Sequence, residues 1–228
     1  MSLKRTVGWA EHSEAQHLYG GLLGFAVLSI TYAWRRVLFI ALLIAGAAAA
    51  ANAPVTTGVI SETGLRYWEW NVQGVLFRLT QRLPDQTRAY FMARGFAGEY
   101  ADFIATRCLF QSIFKNTATE GGSSVSINLD SWRLHTAGRE GRLLTRDYWK
   151  QEWAQRDISR AAAIAFEWSL LPTRQVYAPG DYNWGMTSYG LPPGTRLDLD
   201  FSWQRDGEQF QGRLNGVECP ADIHPEPE

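Results

Sequence analysis

The sequence predicts a mainly β fold, an immunoglobulin-like β-sandwich with two short helical segments, and a partly open β-barrel is the alternative. Short runs of alternating apolar and polar residues recur about every 8–12 residues, and turns containing proline or glycine separate them. The clearest run sets the apolar residues Leu197, Leu199, Phe201 and Trp203 against polar neighbours. The chain lacks the Cys-Trp-Cys spacing of true immunoglobulin domains, so only the general architecture is predicted.

The first half of the predicted single β-rich domain, residues 67–219, contains strands and a helical insert. The alternating run that begins at Tyr67 predicts a strand with a break or bulge at Gly74. The apolar residues then recur at helical spacing, which predicts a helical insert at about 85–107 with Asp85 as its N-cap.

The second half of the domain is predicted to be richer in strands. Apolar or alternating runs predict strands at 108–115, 124–129 and 131–136. A second short helix is predicted at about 145–155, where aromatic residues recur at helical spacing. The alternation of Ile164, Phe166, Trp168 and Leu170 predicts a strand at 163–171. We expect an ordered loop or edge strands at 172–193 and a hairpin turn at Asp206-Gly207.

The segment before the domain has the layout of an export signal. Arg35 and Arg36 precede an apolar run, which ends in small residues that fit cleavage sites ending at Ala51 or Ala53. We therefore predict a signal peptide or membrane anchor at 35–53 and a periplasmic or secreted domain. If the segment is not cleaved, residues 37–53 would contact the membrane and anchor the domain outside the cytoplasm at the inner membrane.

Two polar segments flank the predicted domain. Residues 54–66 are rich in threonine and glycine and predict a linker. Residues 220–228 are rich in proline and glutamate and predict a disordered tail.

The first residues of the chain show a different pattern. Residues 1–34 are therefore predicted to be an N-terminal extension distinct from the rest of the chain. Residues 7–17 read VGWAEHSEAQH and residues 23–29 read LGFAVLS. Over about the first 30 residues, this segment is similar to the translation of a dispersed intergenic repeat of bacteria. The resemblance implies that translation starts further downstream, near Val27 or Leu28, and it implies nothing about the folded domain.

The composition limits the classes of partner. A formal net charge of −1 over 228 residues gives no basic surface for nucleic acid, so no nucleic-acid partner is predicted. Ten tryptophans indicate either a large aromatic core or an exposed aromatic platform. The two cysteines, Cys108 and Cys219, are predicted to form a disulfide if the domain is exported.

The sequence offers little for catalysis. His135 is the one histidine within residues 67–219, and no nucleophile motif accompanies it. We find no spacing typical of metal ligands and no phosphate-binding glycine loop, so we predict no catalytic residue, no metal and no cofactor.

The predicted binding residues lie in the long connection 172–193. They are the large side chains Tyr177, Tyr182, Trp184, Met186 and Tyr189. Tyrosine and tryptophan are favoured binding anchors, although the same side chains could instead fold back onto the sandwich. The sequence thus favours a non-catalytic envelope protein that binds a protein partner or assists a membrane or periplasmic complex. The alternatives are a carbohydrate-binding module that uses exposed Trp and Tyr, and an enzyme of unrecognised type.

Overall fold

The computed structural model describes residues 55–223. The predicted N-terminal extension (1–34), the signal peptide or anchor (35–53) and the last five residues of the predicted tail lie outside the described residues. Among residues 55–223, no helix combines the length and the apolar composition needed to cross a bilayer.

The described residues form eleven strands in two antiparallel sheets. The first sheet has the order β1-β2-β3-β4-β9, with β1 at Thr56–Val59, β2 at Arg66–Val72, β3 at Val75–Gln81, β4 at Leu109–Asn116 and β9 at Tyr182–Ser188. The second has the order β7-β6-β10-β5-β8, and β11 pairs with the other edge of β10. Its strands are β5 at Val125–Asn128, β6 at Arg133–Thr136, β7 at Arg139–Gly141, β8 at Arg174–Tyr177, β10 at Arg196–Arg205 and β11 at Glu208–Glu218.

Four α-helices accompany the sheets. They are α1 at Pro84–Met92, α2 at Gly98–Ala105, α3 at Arg146–Ala154 and α4 at Arg160–Ser169, and a short 3-10 helix lies at Leu129–Ser131. The helical insert and the helix near 145–155 are therefore confirmed. The N-cap of α1 is Leu83 and not Asp85, because Pro84 begins the helix and the Gln86 side chain accepts a hydrogen bond from the Leu83 amide.

The two sheets pack face to face around an aromatic core, which confirms the β-sandwich, and the strands form no closed barrel. Alternation explains the packing, because every second residue of β2, β3 and β10 faces the opposite sheet. Phe77 lies with its ring centre 4.9 Å from those of both Trp132 and Phe201. Most tryptophans of the described part are thus core residues, namely Trp68, Trp70, Trp132, Trp149, Trp153 and Trp203.

The helices form a third layer on the outer face of the first sheet. Leu109 of β4 and Met186 of β9 project from this face and pack with Phe91, Trp149 and Phe166 of the helices. The outer face of the first sheet is consequently buried at one end and open at the other.

Cys108 and Cys219 form the predicted disulfide, with their Cα atoms 5.3 Å apart. Cys108 directly precedes β4 of the first sheet, and Cys219 directly follows β11 of the second. The bond therefore joins the two sheets covalently. A disulfide suggests an oxidising, exported compartment.

Two further expectations about local structure were wrong. Gln73 and Gly74 are not a break within one strand but a two-residue hairpin turn between β2 and β3, with φ values of 53° and 70°. Residues 163–171 are mostly helix α4 and not a strand. The Ser159 hydroxyl caps α4 by accepting from the amide of Ala162, and Ala162 and Phe166 form its buried face.

The flanking segments are more ordered than the composition predicts. Part of the predicted linker forms β1, which pairs with β2. In the predicted tail, Asp222 makes an ion pair of 2.5 Å with Arg88 of α1, which also contacts Asp85 and Asp102. The described part of the tail is therefore held against the helical layer.

Candidate functional site

Strand β9 is an edge strand, and one stretch of its free edge is open. The amide of Tyr189 donates to the Cys108 carbonyl (3.1 Å), and the amide of Asn116 donates to the Asp181 carbonyl (3.0 Å). Antiparallel pairing alternates, so the odd-numbered residues of β9 bond to β4 and the even-numbered ones direct their N–H and C=O groups away from it.

The open stretch comprises Tyr182 and Trp184. Further along β9, the amide of Leu171 donates to Met186 and that of Leu144 donates to Ser188, at 2.8 Å each, which covers that half of the edge. At this free edge, no described residue forms a hydrogen bond with the backbone of Tyr182 or Trp184. Two N–H and two C=O groups of β9 therefore have no partner at this edge among residues 55–223.

The side chains of Tyr182 and Trp184 lie on the outer face of the first sheet and are each 64% exposed. Their neighbours across the sheet are Lys115 and Ile113 of β4, which are only partly buried. The open edge thus carries two aromatic rings in addition to its unpaired backbone groups. We call Tyr182 and Trp184, with their backbone groups, the β9 edge.

Helix α4, whose end lies next to β9, carries a third exposed aromatic residue, Trp168. Leu170, just after α4, forms a parallel bridge with Met186, and Trp168 and Trp184 each lie two residues before the bridged pair. Trp168 is 82% exposed and Ile164, one turn earlier, is 45% exposed. Trp168 was not among the predicted binding residues, because residues 163–171 were predicted to form a strand.

The remaining three predicted binding residues are buried. Tyr177 is the last residue of β8, and its ring centre lies 5.1 Å from that of Phe114. The ring centre of Tyr189 lies 5.3 Å from that of Phe110, and Met186 packs against the helices. The structure therefore keeps Tyr182 and Trp184 as the accessible members of the set, and residues 172–193 form edge strands β8 and β9.

A groove lies between α3 and α4, and none of the predicted binding residues lines it. It has a volume of about 270 Å³, and its apolar wall contains Trp149, Trp153, Ile158, Ala163, Phe166 and Leu170. Trp149 and Trp153 stack with their ring centres 5.0 Å apart. Their indole Nε1–H groups are buried and have no hydrogen-bond partner among the described residues. We call this cavity the α3–α4 groove.

The charged residues that line the groove are mainly basic, since Arg146, Lys150 and Arg160 face a single acid, Glu167. Arg146 donates from Nη2 to the Leu170 carbonyl at 2.7 Å, but its buried Nε has no partner in the part of the chain that the structure describes. Arg146 also takes part in none of the ion pairs seen between residues 55 and 223. Burial lowers the pKa of its guanidinium, and the charge of Glu167 opposes that shift.

His135 lies on β6 in the second sheet and does not line the groove. Its Nε2 is 2.7 Å from the Asp200 carboxylate, which also pairs with Arg213 at 3.1 Å. The hydrogen-bond partner of His135 is thus a charged surface residue of the neighbouring strand β10. Among the described residues, no group of three or more His, Cys, Asp or Glu side chains could hold a metal ion.

No family model matches the chain, and no curated protein or solved structure shows significant similarity to it. The geometry of the described residues is therefore the basis for the proposals that follow.

Proposed function

We propose that the protein is an exported, non-catalytic binding protein of the bacterial envelope, and that it captures an extended segment of a partner protein on the β9 edge. The observation that carries this proposal is that the N–H and C=O groups of Tyr182 and Trp184 have no partner in the described part of the chain and lie beside two exposed aromatic rings. An extended segment can add to such an edge as a further strand, because its own backbone groups complete the ladder.

The composition of the edge supports this reading. Folded proteins usually protect an open strand edge with charged residues or proline, since an exposed edge pairs with other chains. The edge strand β7 contains the charged residues Arg139 and Glu140, and the edge strand β8 begins with Arg174. The open stretch of β9 reads Tyr-Asn-Trp and carries no charge.

The disulfide supports the exported location, because stable disulfides form outside the reducing cytoplasm. We propose that the domain works in the periplasm or is secreted, or that residues 37–53 anchor it on the outer side of the inner membrane. The partner would then be an envelope protein or a membrane complex.

The proposal can be tested by cross-linking from the edge itself. Tyr182 is replaced by a photo-cross-linking phenylalanine analogue, and the full-length chain is expressed in its native cells and irradiated. We expect one discrete adduct, which is weakened by Trp184→Ala and abolished by Trp184→Pro, because proline also removes an N–H at the open edge. Absence of an adduct, or its persistence in Trp184→Pro, would overturn the proposal.

The matched control lies in the other sheet. Val176 of β8 is 61% exposed. The Leu129 amide donates to the Thr173 carbonyl, so the odd-numbered residues of β8 bond to β5. The amide of the even-numbered Val176 therefore also faces a free edge. Val176→Pro therefore makes the same backbone change and should leave the adduct unchanged. Thermal melting of both proline variants would show that each sheet remains folded.

A carbohydrate ligand is the second candidate, because Tyr182 and Trp184 project from the same face of one strand with about 7 Å between them along the strand. Aromatic rings in this arrangement can stack on sugar rings. Soluble cell-wall oligosaccharides would then quench tryptophan fluorescence saturably, and Trp184→Ala and Trp184→Pro would weaken that quenching equally. A partner that needs the backbone would distinguish the two variants.

A further inference from the structure

The α3–α4 groove has the properties of a binding site for a small ligand, and it is separate from the β9 edge. Ligand sites are usually concave and largely apolar, with a few polar groups that orient the ligand. The groove has eight apolar residues in its wall and a volume of about 270 Å³, just below the usual range of such sites.

Its unpartnered donors indicate what kind of polar group would enter. Trp149 is 1% exposed and Trp153 is 7% exposed, and neither indole N–H has an acceptor among residues 55–223. The buried Nε–H of Arg146 has none either. All three side chains line the groove, and a buried donor without an acceptor costs about 1–3 kcal/mol, so a ligand whose acceptor oxygen atoms reached these donors would be favoured.

The charge of the groove indicates the sign of that ligand. Three basic residues and one acidic residue line it, and the guanidinium of Arg146 is partly buried without an ion-pair partner in the described chain. A carboxylate would match this charge and accept hydrogen bonds from the guanidinium. The aromatic and aliphatic wall would in turn cover an apolar body.

We propose that the α3–α4 groove binds a small apolar carboxylate, with Arg146 contacting the carboxylate group and the Trp149–Trp153 stack covering the hydrocarbon part. This assignment goes beyond the proposed function, because it concerns a different surface and a different class of ligand. It identifies Arg146 as the residue that determines specificity for the charged end.

The experiment uses three probes with the same chain length, namely decanoate, decanol and decyltrimethylammonium. They are titrated below micelle formation into the purified protein obtained from the full-length chain. The readout is the indole N–H resonances in proton–nitrogen correlation spectra, assigned with Trp149→Phe and Trp153→Phe. We expect decanoate to shift the resonances of Trp149 and Trp153 saturably, with an affinity at least about tenfold above that of decanol. The cation should bind most weakly.

Two variants distinguish the contribution of the Arg146 charge to binding from the contribution of the cavity. Arg146→Gln should reduce the preference for decanoate over decanol to nearly none, whereas Arg174→Gln, a change at an exposed arginine of β8, should not. Ala154 is an exposed residue that lines the groove, so Ala154→Phe should block both probes without disturbing the core. It also provides a test that does not depend on the hydrogen bond between Arg146 and Leu170.

Equal affinities for decanoate and decanol in the wild type would overturn the proposal. The same conclusion would follow if the decanoate preference survived in Arg146→Gln, or if Ala154→Phe bound the probes as the wild type does. Because Tyr182 and Trp184 do not line the groove, Trp184→Pro should leave these titrations unchanged, so failure here is distinguishable from failure of the β9-edge proposal.

Discussion

Two buried tyrosines hold their hydroxyl groups in different surroundings. Tyr189 accepts a hydrogen bond of 3.0 Å from the Thr187 hydroxyl, which is itself 2.7 Å from the hydroxyl of Ser112. The hydroxyl of Tyr177 has no partner among the described residues. Burial raises the pKa of both tyrosines well above the ordinary value of about 10, because each would have to ionise inside the core.

The raised pKa values predict that the protein loses stability in alkali. Below pH 10 both tyrosines are neutral in the folded and unfolded states. Above pH 10 the unfolded chain releases its tyrosine protons first, so the free energy of unfolding should fall by about 1.4 kcal/mol per pH unit for each buried tyrosine. Urea titrations between pH 8 and pH 11 should show a smaller slope in both Tyr189→Phe and Tyr177→Phe than in the wild type.

The same two variants should differ in stability at neutral pH, so each serves as a control for the other. Tyr189→Phe should cost about 1 kcal/mol because Thr187 loses an acceptor, whereas Tyr177→Phe should be neutral or stabilising because it removes an unpaired hydroxyl. Equal alkaline slopes in wild type and both variants would contradict the prediction, since they would show that neither buried tyrosine resists ionisation.

At the level of elements, Gly185 allows α4 and β9 to meet. A Cβ atom at this position would lie 2.6 Å from the Leu171 amide nitrogen and 2.9 Å from the Leu170 carbonyl carbon, which are backbone atoms. These atoms belong to the segment that bridges to Met186 and covers half of the β9 edge. Glycine is required here for close approach and not for a left-handed backbone.

We therefore expect Gly185→Ala to separate α4 from β9 and to destabilise the protein by about 1–3 kcal/mol, as overpacking does. Hydrogen exchange should accelerate at the amide of Leu171, which loses its acceptor at Met186. Gly98→Ala is the matched control, because no atom lies within 4 Å of its added Cβ and the residue begins α2. An unchanged exchange rate at Leu171 in Gly185→Ala would show that the bridge does not depend on this glycine.

The sequence predictions were correct for some types of element and wrong for others. Strands with one buried face, such as β10, were predicted because their alternation directly reflects the sandwich core. Helix α4 was missed because its apolar residues lie on two sides: Phe166 faces the core, while Ile164 and Trp168 are exposed. Exposed apolar residues at even positions made a helix resemble a strand, although Ser159, which stands two residues before three alanines, is a typical helix N-cap.

The candidate sites were less predictable than the fold. Exposure of Tyr182 and Trp184 depends on β9 being an edge strand, and strand order is set by long-range pairing that a local pattern does not contain. The α3–α4 groove was missed for a related reason. Trp149, Trp153 and Phe166 read as core residues, and only the packing of two helices shows that a cavity remains beside them.

At the scale of the whole fold, residues 55–223 form three layers, and one disulfide joins the two sheets among them. The sandwich core and the helical core are separate clusters on opposite faces of the first sheet, and the disulfide lies within the sandwich core. Its cysteines are 111 residues apart, and the loop that they close contains all strands from β4 to β11 together with α3 and α4. In the chain-entropy account, a loop of this length lowers the entropy of the unfolded chain substantially.

We therefore predict that the double variant Cys108→Ser/Cys219→Ser has a free energy of unfolding lower than the wild type by about 4–5 kcal/mol. This loss is a large share of the about 5–15 kcal/mol that is typical of a domain, so the variant should melt far below the wild type. Urea denaturation of both proteins, with and without reductant, measures the effect; the reductant should destabilise the wild type and leave the variant unchanged. A difference below about 1 kcal/mol would show that the unfolded chain gains little freedom from opening this loop, and that the two sheets are held together by their aromatic core alone.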